Sequence, residues 1–335
     1  MNHLPPLSSA AASPSPTPPE ASEGFRSGFI ALIGRPNVGK STLLNRLVGQ
    51  KVAITSPVAQ TTRRRLRGIL TTPAAQLIFV DTPGIHKPHH LLGERLVRSA
   101  REAIGEVDLV VLLVKGSEPA GRGDAFIVEL LKRSQVPVHV ALNHWDAVPP
   151  SQAEQQLDSY RQLLAKTVTD AEPSQSWPLH PISALTGLGI DALLSALTRD
   201  LPLGPCLYPP ETVSDQSEQT LLAELIREQV LHQTREEVPH SVAVQIDRIV
   251  DDDRPTKGGK TRVAVLATVL VERQSQKAIL IGRGGQMLRT IGTGARKQME
   301  TLLDHPVYLE LFVKVVPHWR RSSTRLAELG YGMQD

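Results

Sequence analysis

The residues with the plainest chemical potential form one run, Gly34-Arg35-Pro36-Asn37-Val38-Gly39-Lys40-Ser41, followed by Thr42. The spacing G-x4-G-K-S lets the backbone wrap so that several N–H groups converge on phosphate oxygens at the start of a helix. Lys40 is placed to neutralise the β- and γ-phosphates of a nucleotide, and the Ser41 hydroxyl to ligate Mg²⁺. A chance match in a glycine-rich turn is the bland alternative. Against it stands the context: an apolar run, Phe29 to Ile33, precedes the loop, and Leu43, Leu44, Leu47 and Val48 follow on one helical stripe.

Later segments choose the base. Asp81-Thr82-Pro83-Gly84 closes a second apolar run, Leu77 to Val80. Asp81 can hold Mg²⁺ through a water, and the Gly84 N–H can approach a γ-phosphate because no side chain intervenes. Asn143-His144-Trp145-Asp146 ends a further run, Val136 to Leu142. A carboxylate at Asp146 can accept hydrogen bonds from guanine N1–H and the 2-amino group, whereas adenine offers neither donor. Charge-assisted bonds of this kind are worth about 1.5–3 kcal/mol each, ample to select the base. Ser183-Ala184-Leu185 can place a backbone N–H on guanine O6. The residues read as a GTP/GDP site.

These pieces need a scaffold. The runs named above, with Leu109 to Val114, lack polar alternation, and amphipathic patterns such as Phe126, Ile127, Leu130 and Leu131 separate them. That predicts a mostly parallel sheet with helices on both faces, an α/β nucleotide-binding domain. A last strand–helix pair falls at Leu179 to Ile182 and Ile190 to Leu201, and the Pro/Gly-rich stretch from Pro202 to Pro210 marks a boundary. The expected division is a Pro/Ser-rich disordered tail over 1–27, a GTP-binding domain over 28–203, a linker over 204–217 and a second domain over 218–335. In that second domain a helix containing Leu221, Leu222, Leu225 and Ile226 precedes strands at Ser241 to Val250 and Val263 to Val271. Helical sequence around Gly282–Gly285 and through Ala295 to Leu303 then leads to a strand at Val307 to Val316, a small α+β unit.

Composition narrows the classes. A chain of 335 residues has room for two domains. Cys206 is its single cysteine, which excludes an intramolecular disulfide and a Cys-based zinc site and fits a reducing compartment. No apolar run approaches the length of a membrane-spanning helix, and the N-terminal tail lacks the pattern of a signal peptide. His86, His89 and His90 invite a metal reading, but no carboxylate or cysteine completes the set and a solvated loop is expected.

Net charge is only +3, yet between Lys277 and Arg321 eight Lys/Arg face three Asp/Glu. That local excess of +5 points to a polyanion partner. It surrounds Gly282-Arg283-Gly284-Gly285, with Lys277 and Arg289 on the flanks and an apolar platform of Ile279, Leu280, Ile281 and Leu288 beside which bases could splay. Lys314, His318, Arg320 and Arg321 would extend the track. A solvated basic corner between helices is the plain alternative. Arg63, Arg64, Arg65 and Arg67 are left open between RNA contact and solvation.

The ordered set resembles the nucleotide boxes of translation-factor-type GTPases. With Gln60-Thr61-Thr62-Arg63 it looks like their Era-like branch, and the order of the second half is similar to a type II KH domain, whose G-x-x-G loop clamps single-stranded nucleotides. The resemblance covers nearly all of the ordered chain. It implies that Thr62 (Thr61 being the alternative) is the switch threonine that reaches Mg²⁺ and the γ-phosphate, giving metal residues Ser41, Thr62 and Asp81 and catalytic residues Lys40, Thr62 and Gly84. It also implies single-stranded 16S ribosomal RNA near its 3′ end as partner, a role in 30S subunit assembly, and a cytoplasmic monomer loosely associated with the inner face of the cell membrane. Two departures stand out. The branch has Asn-Lys-x-Asp where this chain has His144, and Ile85 stands where Ras-like GTPases carry a water-orienting glutamine. An apolar residue is shared by the branch, so backbone atoms of the switch segments, 55–65 and 84–90, must place the water. Some relatives also use a potassium ion, which Asn37 would hold here. The rival reading is a nucleotide-gated RNA-binding protein with negligible turnover, for which Ile85 and His144 would be signs of decay. The intact Lys40, Ser41, Thr62, Asp81 and Gly84 favour hydrolysis.

Overall fold

The computed structural model describes residues 24–58, 61–62, 65–82, 84, 104–134, 136–168, 177–252 and 261–329. Pro83, Ile85, the three switch histidines, Gln60, Arg63, Arg64 and most of the N-terminal tail lie outside these residues.

Six strands make the first sheet: β1 (Arg26–Gly34), β2 (Leu66–Thr71), β3 (Ala75–Asp81), β4 (Leu109–Lys115), β5 (Val138–Asn143) and β6 (Leu179–Pro181). Their order is β2-β3-β1-β4-β5-β6, with β2 antiparallel to β3 and every other pair parallel. β1 begins two residues before the expected start of order, because the Ser27 N–H donates to the Pro202 carbonyl and Arg26 to the Leu201 carbonyl. The expected parallel strands are therefore joined by one that the apolar-run criterion missed. β2 carries Arg67 exposed between Leu66 and Gly68, so it reads as half-solvated edge and not as core.

Helices α1 (Lys40–Val48) and α4 (Ile190–Asp200) cover one face, where Ile30, Leu32, Leu77 and Phe79 meet Leu43, Leu44, Leu47, Leu193 and Leu197. Helices α2 (Arg122–Lys132) and α3 (Ala153–Val168) cover the other, over Ala31, Ile33, Val110, Leu112 and Val140. Burial on both faces explains why these strands carry apolar runs without strict polar alternation, with Gln76 and His139 as buried exceptions. It also fixes the C-terminal ends of β1, β3 and β5, where the nucleotide segments emerge.

The second sheet is β7 (Ala243–Asp252), β8 (Arg262–Val271) and β9 (Val307–Val315), with β7 antiparallel and β9 parallel to β8. Against it pack α5 (Glu218–Gln233), α7 (Gln274–Ile281) and α8 (Gln286–Leu303). In α8 the buried residues are Ile291, Ala295 and Met299, four apart, which is the stripe a helix lays on a sheet. A short α6 (Val238–Ser241) and a trailing α9 (Ser323–Glu328) complete the unit.

The connection between the sheets is fastened along the first domain. Gln76, fully buried on β3, accepts from the Leu207 and Tyr208 N–H groups at 2.7 and 2.8 Å and donates to the Tyr208 carbonyl. Further on, the Ile69 N–H donates to the Val213 carbonyl, Ser214 Oγ to the Arg67 carbonyl, and the Arg67 N–H to Asp215.

Candidate functional site

The phosphate loop is held open by its surroundings. Gly39 has φ +94°, and a Cβ there would lie 2.3 Å from Asn143 Nδ2, so only glycine fits. Asn143 in turn donates to the Val38 carbonyl (2.8 Å) and accepts from the Ala184 N–H (2.9 Å), lacing together the three segments expected at the nucleotide. That bond occupies the Ala184 N–H, and Leu185 of the same triplet is exposed. Arg35 ties the loop to α2 through Asp124 at 2.9 Å. Asn37, itself at φ 62°, donates to the Pro57 carbonyl, and Gly84 lies so near the loop that a Cβ would come within 2.8 Å of Pro36.

Lys40 is 6 % exposed, and its ammonium caps the Gly34 and Arg35 carbonyls at 3.2 and 3.0 Å. Burial lowers its pKa to about 8, against the opposing pull of Asp81. A triphosphate would supply an anionic partner in place of the hydration that burial takes from the ammonium. Burial likewise raises the Asp81 carboxyl, countered by Lys40, Ser41, Thr62 and Thr82.

Three oxygens converge beside the lysine. Ser41 Oγ lies 2.9 Å from Asp81 Oδ2 and 3.1 Å from Thr62 Oγ1, and Thr62 Oγ1 lies 3.2 Å from Asp81 Oδ2. Neighbouring ligands of an octahedral Mg²⁺, with bonds of about 2.0–2.1 Å, sit about 3 Å apart. Asp81 Oδ1 is buried without a hydrogen-bond partner among the described residues. The donor set fits a hard divalent cation, and it separates the two threonines. Thr62 points to the oxygens, while the Thr61 hydroxyl donates to the Val58 carbonyl.

His144 borders the same cavity at φ 62°, with Nδ1 buried and without a hydrogen-bond partner among the described residues. Burial, and then the Lys115 charge, hold its pKa below the usual imidazole value, so at neutral pH it brings no charge to the position. Asp146 stands exposed at the end of the segment, and Trp145 is anchored by its N–H on the Ile182 carbonyl.

The second domain reaches this site, a contact that no motif or spacing announces. Buried Glu228 of α5 accepts from Lys51 Nζ (2.5 Å), from the Thr55 N–H (2.8 Å) and hydroxyl (3.2 Å), and from Gln298 of α8 (2.7 Å). Arg227 donates to the Thr61 carbonyl, and His232 Nε2 lies 2.8 Å from the Thr55 carbonyl.

At the head of α8 lies the loop Gly282–Gly285. Gly282, Gly284 and Gly285 all have positive φ. A Cβ at Gly284 would meet nothing within 4 Å, so the backbone there is open to a ligand. Arg283 and Arg289 are exposed, Lys277 is half-buried, and Ile279 is 51 % exposed. One expectation fails: Leu280 is fully buried in the domain core and cannot belong to an apolar platform, because α7 turns it toward the sheet. Lys314 is exposed at the end of β9, while Arg320 spends its guanidinium on Glu272 and the His240 carbonyl.

The sequence profile of a family described as 50S ribosome-binding GTPase matches residues 29–144, and that of the KH domain matches residues 237–320. GTPase Era of Synechocystis sp. is 53% identical over 95% of this chain and 96% of its own length. The chain belongs to the Era family of GTPases. Era of Nostoc sp. is 54% identical over 100% of this chain and 97% of its own. Among solved structures, Era in complex with MgGDPNP and nucleotides 1506–1542 of 16S ribosomal RNA superposes with a TM-score of 0.82 at 38% identity, covering 92% of this chain and all of that one. Aquifex aeolicus Era bound to GDP·AlF4⁻ gives 0.80 at 37%, with the same coverage. This Era-family chain is thus a GTPase carrying a KH domain, and no helix among its described residues is long and apolar enough to cross a membrane.

Proposed function

We propose that this GTPase is a switch that, in its nucleotide-bound state, engages single-stranded 16S ribosomal RNA near its 3′ end during assembly of the 30S subunit. One observation carries the hydrolytic half: Ser41, Thr62 and Asp81 bring three oxygens together beside the buried ammonium of Lys40. The RNA half is supported by the open Gly284 backbone among exposed Arg283 and Arg289, and by the ribosomal RNA held by the similar solved Era.

In this reading residues 28–203 bind nucleotide, 204–217 connect, and 218–335 bind RNA. Lys40 and the N–H groups of the loop from Gly34 to Thr42 grip the β- and γ-phosphates, and the Gly84 N–H meets the γ-phosphate. Ser41, Thr62 and Asp81 would hold Mg²⁺, which neutralises charge developing between the β- and γ-phosphate oxygens. Asp146 accepts the donor edge of guanine, and the Leu185 N–H serves O6. Water attacks the γ-phosphorus in line, the bond to the bridging oxygen breaks, and GDP and phosphate leave. Backbone atoms of the switch segments orient that water, as no glutamine follows Gly84. Asn37 is the candidate ligand for a potassium ion, and equal turnover in sodium and potassium buffers would remove that part. The protein acts as a cytoplasmic monomer with loose contact at the inner face of the cell membrane.

The deciding experiment is footprinting of RNA bound in cells, wild type against Gly284→Asp. The carboxylate would occupy the place of a phosphate, so binding should collapse at the 3′ end of 16S ribosomal RNA. An unchanged footprint would remove the RNA assignment. Calorimetry with GTP and ATP tests the other half, and equal affinities would sink it.

A further inference from the structure

Among the described residues bordering the nucleotide cavity, His232 is the one that the RNA-binding unit contributes, from the last turn of α5. It faces Thr55 to Pro57 across the opening, 177 positions away in sequence from Thr55. A backbone carbonyl can only accept, so His232 Nε2 carries the proton and donates to the Thr55 oxygen at 2.8 Å. The neutral Nε2–H tautomer and the imidazolium both donate there, so the contact does not depend on the charge state of the ring.

The segment it grips is the one that delivers Thr62. That stretch is pinned at Pro57 by Asn37, at Thr61 by Arg227, and at Thr62 by Ser41 and Asp81. Thr55 is its upstream end, and among the described residues the side chains that bond to Thr55 come from α5, Glu228 and His232. Glu228 is shared with Lys51 and Gln298, which makes it a buried structural hub, whereas His232 lies at the rim with its ring exposed to the cavity. A group so placed touches the switch without holding the domain interface together.

We propose that His232 is a positioning residue for GTP turnover: its Nε2–H fixes the Thr55 carbonyl and thereby the seat of Thr62 over the metal-binding oxygens. The RNA-binding unit then supplies part of the GTPase site itself. The inference rests on the reading that Thr62 serves Mg²⁺ and the γ-phosphate. Positioning acts on a step that only GTP undergoes, so GDP, which lacks the γ-phosphate, should bind as before.

The test measures kcat and KM for GTP, GDP affinity and melting temperature in the full-length protein for His232→Leu, His232→Gln and Thr62→Ala. Leucine fills the space without a donor, and glutamine restores an N–H at similar reach. The expected result for His232→Leu is a kcat lower by about 2- to 10-fold, the worth of one hydrogen bond, with GDP affinity and melting temperature unchanged and kcat recovered in His232→Gln. Unchanged kcat in His232→Leu while Thr62→Ala collapses overturns the proposal alone. Unchanged kcat in Thr62→Ala overturns the underlying site reading and the proposal with it. Weaker GDP binding at constant kcat makes His232 a nucleotide contact and likewise overturns it, as does a loss of kcat that glutamine fails to rescue.

Discussion

The two glycine-rich loops, Gly34–Ser41 and Gly282–Gly285, stand at the heads of α1 and α8 and face the same chemistry, phosphate oxygens, yet they are built oppositely. In the first, Gly39 is hemmed in by Asn143 and the cation is a buried lysine. In the second, Gly284 and Gly285 have nothing within 4 Å of an added Cβ, and the cations are exposed arginines. The first loop is a fitted socket for one small anion, where dehydration makes each charge count. The second is an open rail for a polymer, where many solvated contacts add weakly and carry no sequence information. Phosphate recognition in this protein is thus set by what encloses the glycines, and the glycines themselves are common to both.

The comparison can be broken most forcefully at the lysine. Lys40→Met should weaken GTP and GDP binding by about 100-fold or more, since charge-assisted bonds to phosphate are lost from a desolvated place, while nucleotide-free RNA binding stays within about twofold. Filter binding with labelled nucleotide and RNA reads both. A smaller pair of effects comes from alanine in each loop. Gly39→Ala should weaken nucleotide binding by less than the lysine change and lower the melting temperature, because the new methyl strikes Asn143. Gly284→Ala should fold with only the αL strain of about 1–2 kcal/mol. Equal melting temperatures would show that the enclosure is not what distinguishes them.

Acidity sharpens the contrast further. With the Lys40 pKa near 8 in the free protein, nucleotide binding must restore the proton above that pH. Affinity should be flat below pH 8 and fall by up to about tenfold per pH unit above it. RNA binding through guanidinium groups should stay level across the same range, and calorimetry from about pH 6.5 to about 9.5 would check both. The smallest change is His144→Lys. It returns a cation beside the phosphate loop and should tighten GDP binding by about 2- to 10-fold, measured by displacement of a fluorescent analogue.

Much of the socket was legible because it is local in sequence. Strand, loop and helix around Lys40 follow one another without interruption, and Asp81 and Asn143 sit at strand ends that apolar runs announce. The choice between Thr61 and Thr62 was not legible, since both are hydroxyls one position apart and only the fold aims one at Asp81. β2 was missed because Arg67 and Gly68 interrupt its apolar run, and the strand gains its place by pairing with β3. Leu280 was misread because a short apolar run beside glycines does not reveal which of its members faces the sheet. The hold of α5 on Thr55 and Thr61 left no trace in spacing or composition, for its partners lie more than 160 residues apart.

The buried Gln76 has a consequence for how the halves of the protein find each other. By stapling Leu207 and Tyr208 to β3, while Val213 to Asp215 bond to β2, it shortens the stretch of connector that could act as a tether. A leash that short confines α5 to a small search volume around the switch, which raises its effective concentration there. Contacts as modest as a single imidazole on a carbonyl can then re-form quickly after each release, without a large adhesive patch to keep the partners in reach.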